Sequence, residues 1–426
     1  MTAGPIADLV VANARCIATV DSARHEVADG WVAITDGLVS GVGTGASPAA
    51  TTVLDATDCL VTPGLVNVHH HLFQNLTRAL PAMTDKALFG WLQSLYPHWR
   101  GIDAESVYVS AWVGLAELAL AGCTTSSDHL YLHPHGSGDL LGAEIDAARD
   151  LGVRFHPTRG SMSLSEKDGG LPPDDVVADD DEILAACDDA VHRHHDRSFG
   201  AMTRVALAPC SPFSVTESLM VRTAELAERL DVRLHTHFAE NAEDDEFSLA
   251  TFGCRPMDYL ERTGWSSDRT WVAHCVRPDH DEIQRLGAAG VGVAHCPSSN
   301  MILSSGIAPA IELRAAGVHF GLGVDGSSSA DAASLWLVAR QAIVLAKLRD
   351  GAGAATARTA LEMATIGGAG CLGRLGEIGT LEVGAVGDVA VWPLTGPSFA
   401  GAIADPVEAW LRCGPAAARH TVVQGQ

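Results

Sequence analysis

The sequence predicts an α/β fold, a (β/α)8 TIM barrel with a small β-sandwich domain formed from both termini. Three observations lead to this prediction. Short strand-like runs occupy the first sixty residues and return near the end of the chain. Eight compact apolar runs alternate with helical segments between them. Polar residues, mostly histidines, collect at the C-terminal ends of those runs, which converge on one mouth in a barrel.

The composition narrows the class of protein. A length of 426 residues suits one large barrel with an appendage, and 47% hydrophobic residues supply a core. The formal net charge of −24 argues against nucleic acids or anionic membranes as partners, because both would repel it. No apolar run approaches the length that crosses a bilayer, and the N-terminal stretch MTAGPIADLVVANAR lacks the features of a signal peptide. Ten cysteines without a C-x-x-C pair indicate reduced, buried thiols, so we expect a cytoplasmic protein.

Residues 1–60 and 373–426 are predicted to build the β-sandwich together. Short apolar runs such as LVVANARCIATV and TTVLDATDCLVTPG are interrupted by Gly and Asp, as is typical of antiparallel strands. The same texture returns in GTLEVGAVGDVAVWPL and RHTVVQGQ. Because the two strand-rich ends flank a long middle of different character, we expect one small domain that takes strands from both.

Residues 61–372 are predicted to form the barrel. The candidate strands are LVTPGLVNVHH, TTSSDHL, VRFHPTRGSM, RVALAPCS, VRLHTHFAE, TWVAHCV, GVGVAHCP and HFGLGVDG. Segments between them, such as ESLMVRTAELAERL, repeat apolar residues every three or four positions, as amphipathic helices do. A doubly wound open sheet is the alternative, but no glycine-rich dinucleotide fingerprint follows the first strand.

Three consecutive histidines end the first barrel strand in the stretch VNVHHHLFQN. Residues two apart in a strand point to the same side, so His69 and His71 can both face the barrel axis while His70 faces the helices. The pair is therefore a candidate for metal binding. The alternative is a histidine tract with a structural role.

Two later strands offer further metal ligands. His235 and His237 share a face of LHTHFAE, and His237 lies nearer the mouth. Asp325 closes the last strand, in GLGVDG. Three neutral imidazoles and one carboxylate suit Zn²⁺, with Fe²⁺ as the alternative, and leave room for a water whose pKa the ion lowers.

With these residues in place, the chain resembles the mononuclear deaminases of the amidohydrolase superfamily along essentially its whole length. The motifs that carry the resemblance are PGLVNVHHH, HTHFAE, AHC, AHCPSSN and GVDG. The resemblance implies one divalent metal ion, zinc in the first place and Fe²⁺ as the alternative, and an oligomer of identical chains. It also implies a role for each site residue. The metal ligands would be His69, His71, His237 and Asp325. Glu240 would be the proton shuttle, and His274 would orient the attacking water or the developing oxyanion.

The chemistry of ring deamination agrees with these roles. Glu240 can deliver protons to a ring nitrogen and to the departing amine, Asp325 can take a proton from water, and His274 can stabilise growing negative charge. In the binuclear branch of the superfamily, a carboxylated lysine near the end of the fourth strand bridges two metals. That strand reads VALAPCSPFSVT here, and none of the three lysines is near it, which predicts a single metal.

The substrate is expected to be a small aminated heterocycle. The segments HHHLFQNLTRALP, TRGSMSLSEKDGGLPP, ALAPCSPFSVT and AHCPSSNMILSSGI are most similar to superfamily members that act on 8-oxoguanine, which implies its conversion with water to urate and ammonia. The alternatives within the fold are deamination of a pterin such as isoxanthopterin, and displacement of amine or chloride from an s-triazine. A more remote alternative is a barrel that binds a ring compound without catalysis; it would lack a ligand or Glu240.

Seven side chains near the predicted mouth are candidates for substrate contact: Gln74, Trp91, Tyr96, His129, Arg159, Cys210 and Ser211. Gln74 can donate and accept, as an amide edge of a purine requires. Trp91 and Tyr96 either cover a flat ring as a lid or belong to the core. Arg159 either binds a substrate oxygen or pairs with a buried carboxylate.

Overall fold

The computed structural model describes residues 6–426. The strands are β1 Ala7–Ala18, β2 Glu26–Thr35, β3 Leu38–Thr44, β4 Ala50–Asp55, β5 Cys59–Pro63, β6 Leu65–Asn67, β7 Cys123–Leu130, β8 Arg154–Ser161, β9 Ala206–Pro209, β10 Leu234–Phe238, β11 Thr270–His274, β12 Gly292–His295, β13 His319–Leu322, β14 Val389–Pro393 and β15 His420–Val422. Strands β6 to β13 pair in parallel and close into a barrel, with β13 hydrogen-bonded to β6. The predicted (β/α)8 barrel is confirmed.

Helices surround the barrel and connect its strands. They are α1 Leu88–Trp99, α2 Ala104–Leu120, α3 Leu140–Leu151, α4 Asp180–His194, α5 Glu217–Leu230, α6 Ala242–Phe252, α7 Pro256–Arg262, α8 His280–Ala289, α9 Pro297–Ile302, α10 Ala310–Ala315, α11 Ser327–Ala330, α12 Leu335–Asp350, α13 Ala357–Glu362, α14 Gly368–Cys371 and α15 Pro406–Arg412. Helix α5 shows how the sequence sets their limits: the Thr216 hydroxyl accepts from the Leu219 N–H at its start, and Asp231 ends it in a left-handed conformation.

The strands of both chain ends share one seven-stranded sheet beside the barrel. Its order is β15-β14-β5-β1-β2-β3, and β4 pairs with β1. Apolar residues from both ends, such as Val11, Val61 and Val391, pack into one core. The domain limits at residues 60 and 372 stay a prediction.

The first predicted barrel strand is in fact two strands. Residues 59–63 pair with β14 of the terminal sheet, and Leu65–Asn67 enters the barrel beside β7. The break falls at Gly64, where a Cβ would lie 2.2 Å from side-chain atoms of Thr124. Only glycine lets the chain pass this close to β7 as it crosses from the sheet to the barrel.

None of the ten cysteines forms a disulfide within residues 6–426, and most of them are buried. Over the same residues, no helix combines the length and the apolar character that a membrane span requires.

Candidate active site

The predicted metal ligands meet at the C-terminal mouth of the barrel. His69 and His71 follow β6, His237 lies in β10, and Asp325 follows β13. His71 Nε2 lies 3.1 Å from His237 Nε2, and Asp325 Oδ1 lies 3.4 Å from Nε2 of both His69 and His71. Two ligands that each lie about 2.1 Å from one ion at a tetrahedral angle are separated by roughly 3.4 Å. These three distances therefore match the spacing of ligands that share one ion.

Buried carbonyl groups fix the orientation of two of these imidazoles. His71 Nδ1 donates to the carbonyl oxygen of His129 at 2.8 Å, and His237 Nδ1 donates to that of Cys210 at 2.6 Å. A neutral imidazole carries one proton, so the Nε2 atoms of both rings carry lone pairs that point towards each other.

A further histidine orients His69. His69 Nδ1 lies 2.8 Å from His235 Nε2, and His235 Nδ1 donates to the carbonyl oxygen of Trp271 at 2.8 Å. Because the Trp271 carbonyl can only accept a hydrogen bond, the proton of His235 is on Nδ1 and its Nε2 carries a lone pair. His235 Nε2 therefore accepts a hydrogen bond from His69 Nδ1–H. The lone pair of His69 is thereby left at Nε2, the atom that faces Asp325.

This arrangement needs a cation. Burial lowers the pKa of His69, His71 and His237, the last to about 3, so the three rings are neutral. Their Nε2 lone pairs converge, and His69 Nε2 has no hydrogen-bond donor among the described residues. Converging lone pairs repel one another, and a buried acceptor without a donor costs free energy. A single divalent ion would remove both penalties, so the residues fit one metal.

The strand ends that carry the site have unusual backbone conformations. Ala239, His274 and Asp325 have φ angles of +47°, +71° and +64°. Such left-handed conformations cost non-glycine residues on the order of 1–3 kcal/mol each, and they persist where surrounding structure enforces them. At Asp325, the N–H of Gly326 donates to Oδ1 at 2.7 Å.

Glu240 and His274 lie beside the metal ligands. Glu240 Oε2 is 3.5 Å from His274 Nε2, and the Ser305 hydroxyl donates to Glu240 Oε1 at 3.4 Å. His274 Nε2 is 3.9 Å from Asp325 Oδ2, and its Nδ1 donates to Asn300 Oδ1 at 2.9 Å. Burial, followed by the negative charge of Asp325, raises the pKa of Glu240 to about 8. Glu240 is thus a buried carboxyl group that can hold a proton near neutral pH.

A cavity opens over these groups. Its lining consists of His71, Gln74, Leu88, Trp91, Leu92, Tyr131, Cys210, Phe213, His237, Glu240, His274, Leu303, Asp325 and Ser329. Two buried polar atoms among them have no partner in residues 6–426, Gln74 Oε1 and Trp91 Nε1. The cavity is therefore mainly apolar, and its wall contains one buried acceptor and one buried donor without partners. Gln74, Trp91 and Cys210 are the predicted substrate contacts that line it.

The structure does not bring Arg159 or Tyr96 to this cavity. Arg159 lines a different depression, with His133 and Asp139, because it points out of the barrel from β8. The Tyr96 ring is buried, and its hydroxyl faces the sulfur of Met162 at 3.9 Å. The proposed alternatives of a substrate-binding arginine and a tyrosine lid are therefore not supported by where these side chains lie.

His129 and Ser211 lie behind the cavity wall. The His129 ring is stacked 4.9 Å from that of His237, and its Nε2 donates to the carbonyl oxygen of Ala208 at 3.0 Å. The Ser211 hydroxyl is engaged with that of Ser214 at 2.8 Å. Both residues support the site without facing the space above the ligands.

Sequence reasoning missed the roles of His235, Asn300 and Ser305. His235 lies on the same face of β10 as His237, which was visible from the two-residue period, but its contact with His69 Nδ1 was not. Asn300 lies in the motif AHCPSSN, and nothing in the motif showed that its Oδ1 accepts a hydrogen bond from His274 Nδ1. No sequence pattern indicated that Ser305 contacts Glu240.

We expect His235→Phe to weaken metal binding about 10–100-fold, since removing a group that orients a ligand has effects of this size. Phenylalanine can keep the stacking on Trp271, whose ring centroid is 4.4 Å away, but cannot accept from His69. Titration of the apo protein with Zn²⁺ against a competing chelator measures the affinity. His192→Phe on the exposed surface of α4 is the control. Equal affinities for wild type and His235→Phe would contradict the orienting role.

Comparisons with known proteins identify the family of this chain. The model of the amidohydrolase family matches residues 60–418. The chain is 47% identical over 401 residues to 8-oxoguanine deaminase from Pseudomonas aeruginosa, covering 93% of this chain and 89% of that protein. It is 36% identical over 398 residues to an isoxanthopterin deaminase from an unknown prokaryotic organism, covering 87% and 80%.

The chain is also similar to a solved structure. A crystal structure of atrazine chlorohydrolase from Arthrobacter aurescens TC1, complexed with zinc, superposes with a TM-score of 0.94 at 32% identity. The match covers 98% of this chain and 94% of that one. With the family model spanning most of the sequence and a relative at 47% identity, this chain belongs to the amidohydrolase family.

Proposed function

We propose that the protein is a hydrolytic deaminase of an aminated heterocycle, and that its substrate is 8-oxoguanine, which it converts with water to urate and ammonia. One observation carries the proposal: a buried carboxyl group, Glu240, lies beside a set of converging ligand atoms at the floor of a mostly apolar cavity. Mostly apolar cavities with a few polar groups are typical of sites that bind small ring compounds.

The ligands His69, His71, His237 and Asp325 would hold one divalent ion, which we propose to be Zn²⁺ with Fe²⁺ as the alternative. When bound, such an ion polarises a water molecule and lowers its pKa towards neutrality. The donor set of three neutral imidazoles and one carboxylate is of the kind that zinc prefers.

The chain's own residues would move the protons. Asp325 can accept a proton from the attacking water because its carboxylate stays ionised. Glu240, protonated in its buried position, can donate to a ring nitrogen. The resulting carboxylate can then take the proton of the hydroxyl group added to the ring carbon and pass it to the leaving amine. His274 donates through Nδ1–H to Asn300, so only its doubly protonated form would present an Nε2–H to the oxygen on which negative charge grows.

Two features support a purine over other rings. Gln74 lines the cavity, and its amide can match the alternating donors and acceptors of an oxidised purine edge. The relative at 47% identity is an 8-oxoguanine deaminase, whereas the isoxanthopterin deaminase is at 36%. The pterin and s-triazine activities remain the competing candidates, because a polarised water attacks all these ring carbons alike.

A substrate panel tests the proposal. We expect 8-oxoguanine to release ammonia with a higher kcat/KM than guanine, isoxanthopterin or an amino-s-triazine, when each is assayed with the zinc-loaded protein. Stoichiometric urate must accompany the ammonia. Faster turnover of the pterin or the triazine would reassign the substrate but keep the fold and chemistry. Absence of ammonia from every ring in the panel would favour a barrel that binds a ring compound without catalysis.

The remaining expectations are part of the same proposal. A role in purine metabolism and a cytoplasmic location follow from the proposed substrate and from the reduced cysteines. We also propose a homo-oligomer that binds neither nucleic acid nor membrane, in keeping with the net charge of −24.

A further inference from the structure

A depression rich in arginine lies at the opposite end of the barrel from the candidate active site. Its lining includes four arginines and one histidine, Arg197, Arg204, Arg233, Arg269 and His156. Among residues 6–426, Asp231 is the only carboxylate that lines it. Arg197 and Arg204 come from the segment before β9, Arg233 from the residue before β10, and Arg269 from the residue before β11. The depression therefore opens at the N-terminal mouth of the barrel, away from the metal ligands.

Two of these arginines are neutralised and two are not. Arg204 pairs with Glu377 at 3.1 Å, and Arg269 pairs with Asp231 at 3.0 Å. Arg233 donates to the carbonyl oxygen of Asp268 at 2.8 Å, and Arg197 donates to that of Leu230. Within residues 6–426, neither has a carboxylate oxygen within 4.0 Å, although the whole chain carries 52 acidic residues against 28 basic ones. This local excess of positive charge runs against the overall composition.

His156 gives an independent sign of a missing partner. Its side chain is 2% exposed, it lines the depression, and neither ring nitrogen has a hydrogen-bond partner in the part of the chain that the structure describes. Burial, then the neighbouring Arg374, Arg233 and Arg204, lowers the pKa of His156, so its ring is neutral and keeps one N–H donor. Buried polar groups are normally paired, and the Nε atoms of Arg204 and Arg233 are also unpartnered.

The backbone at Gly373 leaves space for Arg233. Gly373 lines the same depression with a φ of +64°, and a Cβ at this position would lie 2.6 Å from Nη1 of Arg233. A larger residue would therefore push the guanidinium away from the depression, and the left-handed backbone would also disfavour it. Gly373 thus leaves space for the Arg233 guanidinium beside the depression.

We propose that this depression is a binding site for a phosphate-type oxyanion, separate from the catalytic site. Guanidinium groups match the geometry of phosphate oxygens with paired N–H donors, and the neutral His156 N–H adds a donor from the floor. The anion would supply the negative charge that Arg197 and Arg233 lack. It is either inorganic phosphate or the phosphate group of a nucleotide, since both present the same oxygens.

Calorimetric titration of the full-length, metal-loaded protein tests the site, with inorganic phosphate and adenosine 5′-monophosphate as separate probes at low ionic strength. We expect saturable binding of at least one probe, and the tighter of the two identifies the source of the phosphate. Arg233→Gln and Arg197→Gln should each weaken it at least tenfold, because a charge-assisted contact is lost. Arg197 is exposed, so its replacement does not threaten folding.

The control is Arg229→Gln, which changes an arginine on the outside of α5 whose side chain is 66% exposed. It should leave the affinity unchanged. If phosphate bound at the metal ligands instead, its affinity would not change in Arg197→Gln or Arg233→Gln. Unchanged affinity in both variants would therefore overturn the proposal. Absence of saturable binding of either probe would overturn it as well.

Discussion

Replacing Glu240 with glutamine is expected to lower kcat for ring deamination by about 10²–10⁴-fold, the range that a positioned general acid–base contributes. Glutamine keeps the shape of the side chain and can still accept from the Ser305 hydroxyl, but it cannot release and recapture a proton. Metal content should remain at one ion per chain, because Glu240 is not one of the four side chains with ligand spacing. Steady-state ammonia release together with metal analysis measures both quantities.

The matched control is Glu246→Gln, an exposed carboxylate on α6 a few residues further along the chain. It should retain full activity. Unchanged deamination in Glu240→Gln would remove this residue from the mechanism. Simultaneous loss of activity and metal would instead make Glu240 a ligand and reassign the proton transfers to His274 or Asp325.

The sequence predicted the barrel and the gathering of its polar residues because both follow from simple periodicities. Alternation along a strand placed His69 and His71 on the axis and turned His70 outward. His70 indeed lies against Gly114 of α2, in the helical layer: a Cβ on that glycine would lie 3.6 Å from His70 Nε2. Strand order then brought distant segments to one mouth, since parallel strands in a closed barrel end on the same side.

The same alternation, applied more strictly, would have corrected the expectation for Arg159. His156 and Arg159 are three residues apart in β8, so they face opposite sides of the strand. His156 lies inside the barrel against Trp271, with ring centroids 5.8 Å apart, and Arg159 therefore points to the helices. Being close to the end of a strand was not enough, because the direction of the side chain decides which residues reach the mouth.

Helical geometry explains why Trp91 lines the cavity and Tyr96 does not. Five residues along a helix rotate the side chain by about 140° from its starting direction. Both rings are buried, but only one of them can face the ligands. Proximity in the sequence GWLQSLYPHW suggested a common lid, whereas the helix separates the two rings.

Contacts between side chains from different strands were beyond sequence reasoning. His235 and His237 have the same direction in β10, and only depth along the barrel axis distinguishes them, by about 7 Å. That depth decides which ring meets the ion and which one meets His69 Nδ1. It depends on the relative stagger of β6 and β10, which are not neighbours in the barrel and whose alignment no local pattern encodes.

The histidine tract offers the sharpest test of the metal site, because adjacent residues of the same type are expected to behave oppositely. His71→Asn should abolish stoichiometric metal binding and reduce deamination to background, with a larger loss of affinity than the 10–100-fold expected for His235→Phe. His70→Asn should keep one ion per chain. In the wild type the backbone N–H of His71 donates to His70 Nδ1 at 2.8 Å. The side-chain carbonyl of an asparagine at position 70 can accept the same hydrogen bond.

Thermal unfolding with and without a chelator gives a readout that does not depend on turnover. At a free ion concentration a hundred times the Kd, binding to the native state alone adds about 2.7 kcal/mol to the free energy of unfolding. Wild type and His70→Asn should therefore show a lower Tm after chelation and recover on readdition of Zn²⁺, while His71→Asn should show neither change. If His70→Asn lost the ion and His71→Asn retained it, the converging Nε2 lone pairs of His69, His71 and His237 would not be the metal site. The histidine tract would then affect metal binding through the contacts of His70 with the surrounding helices.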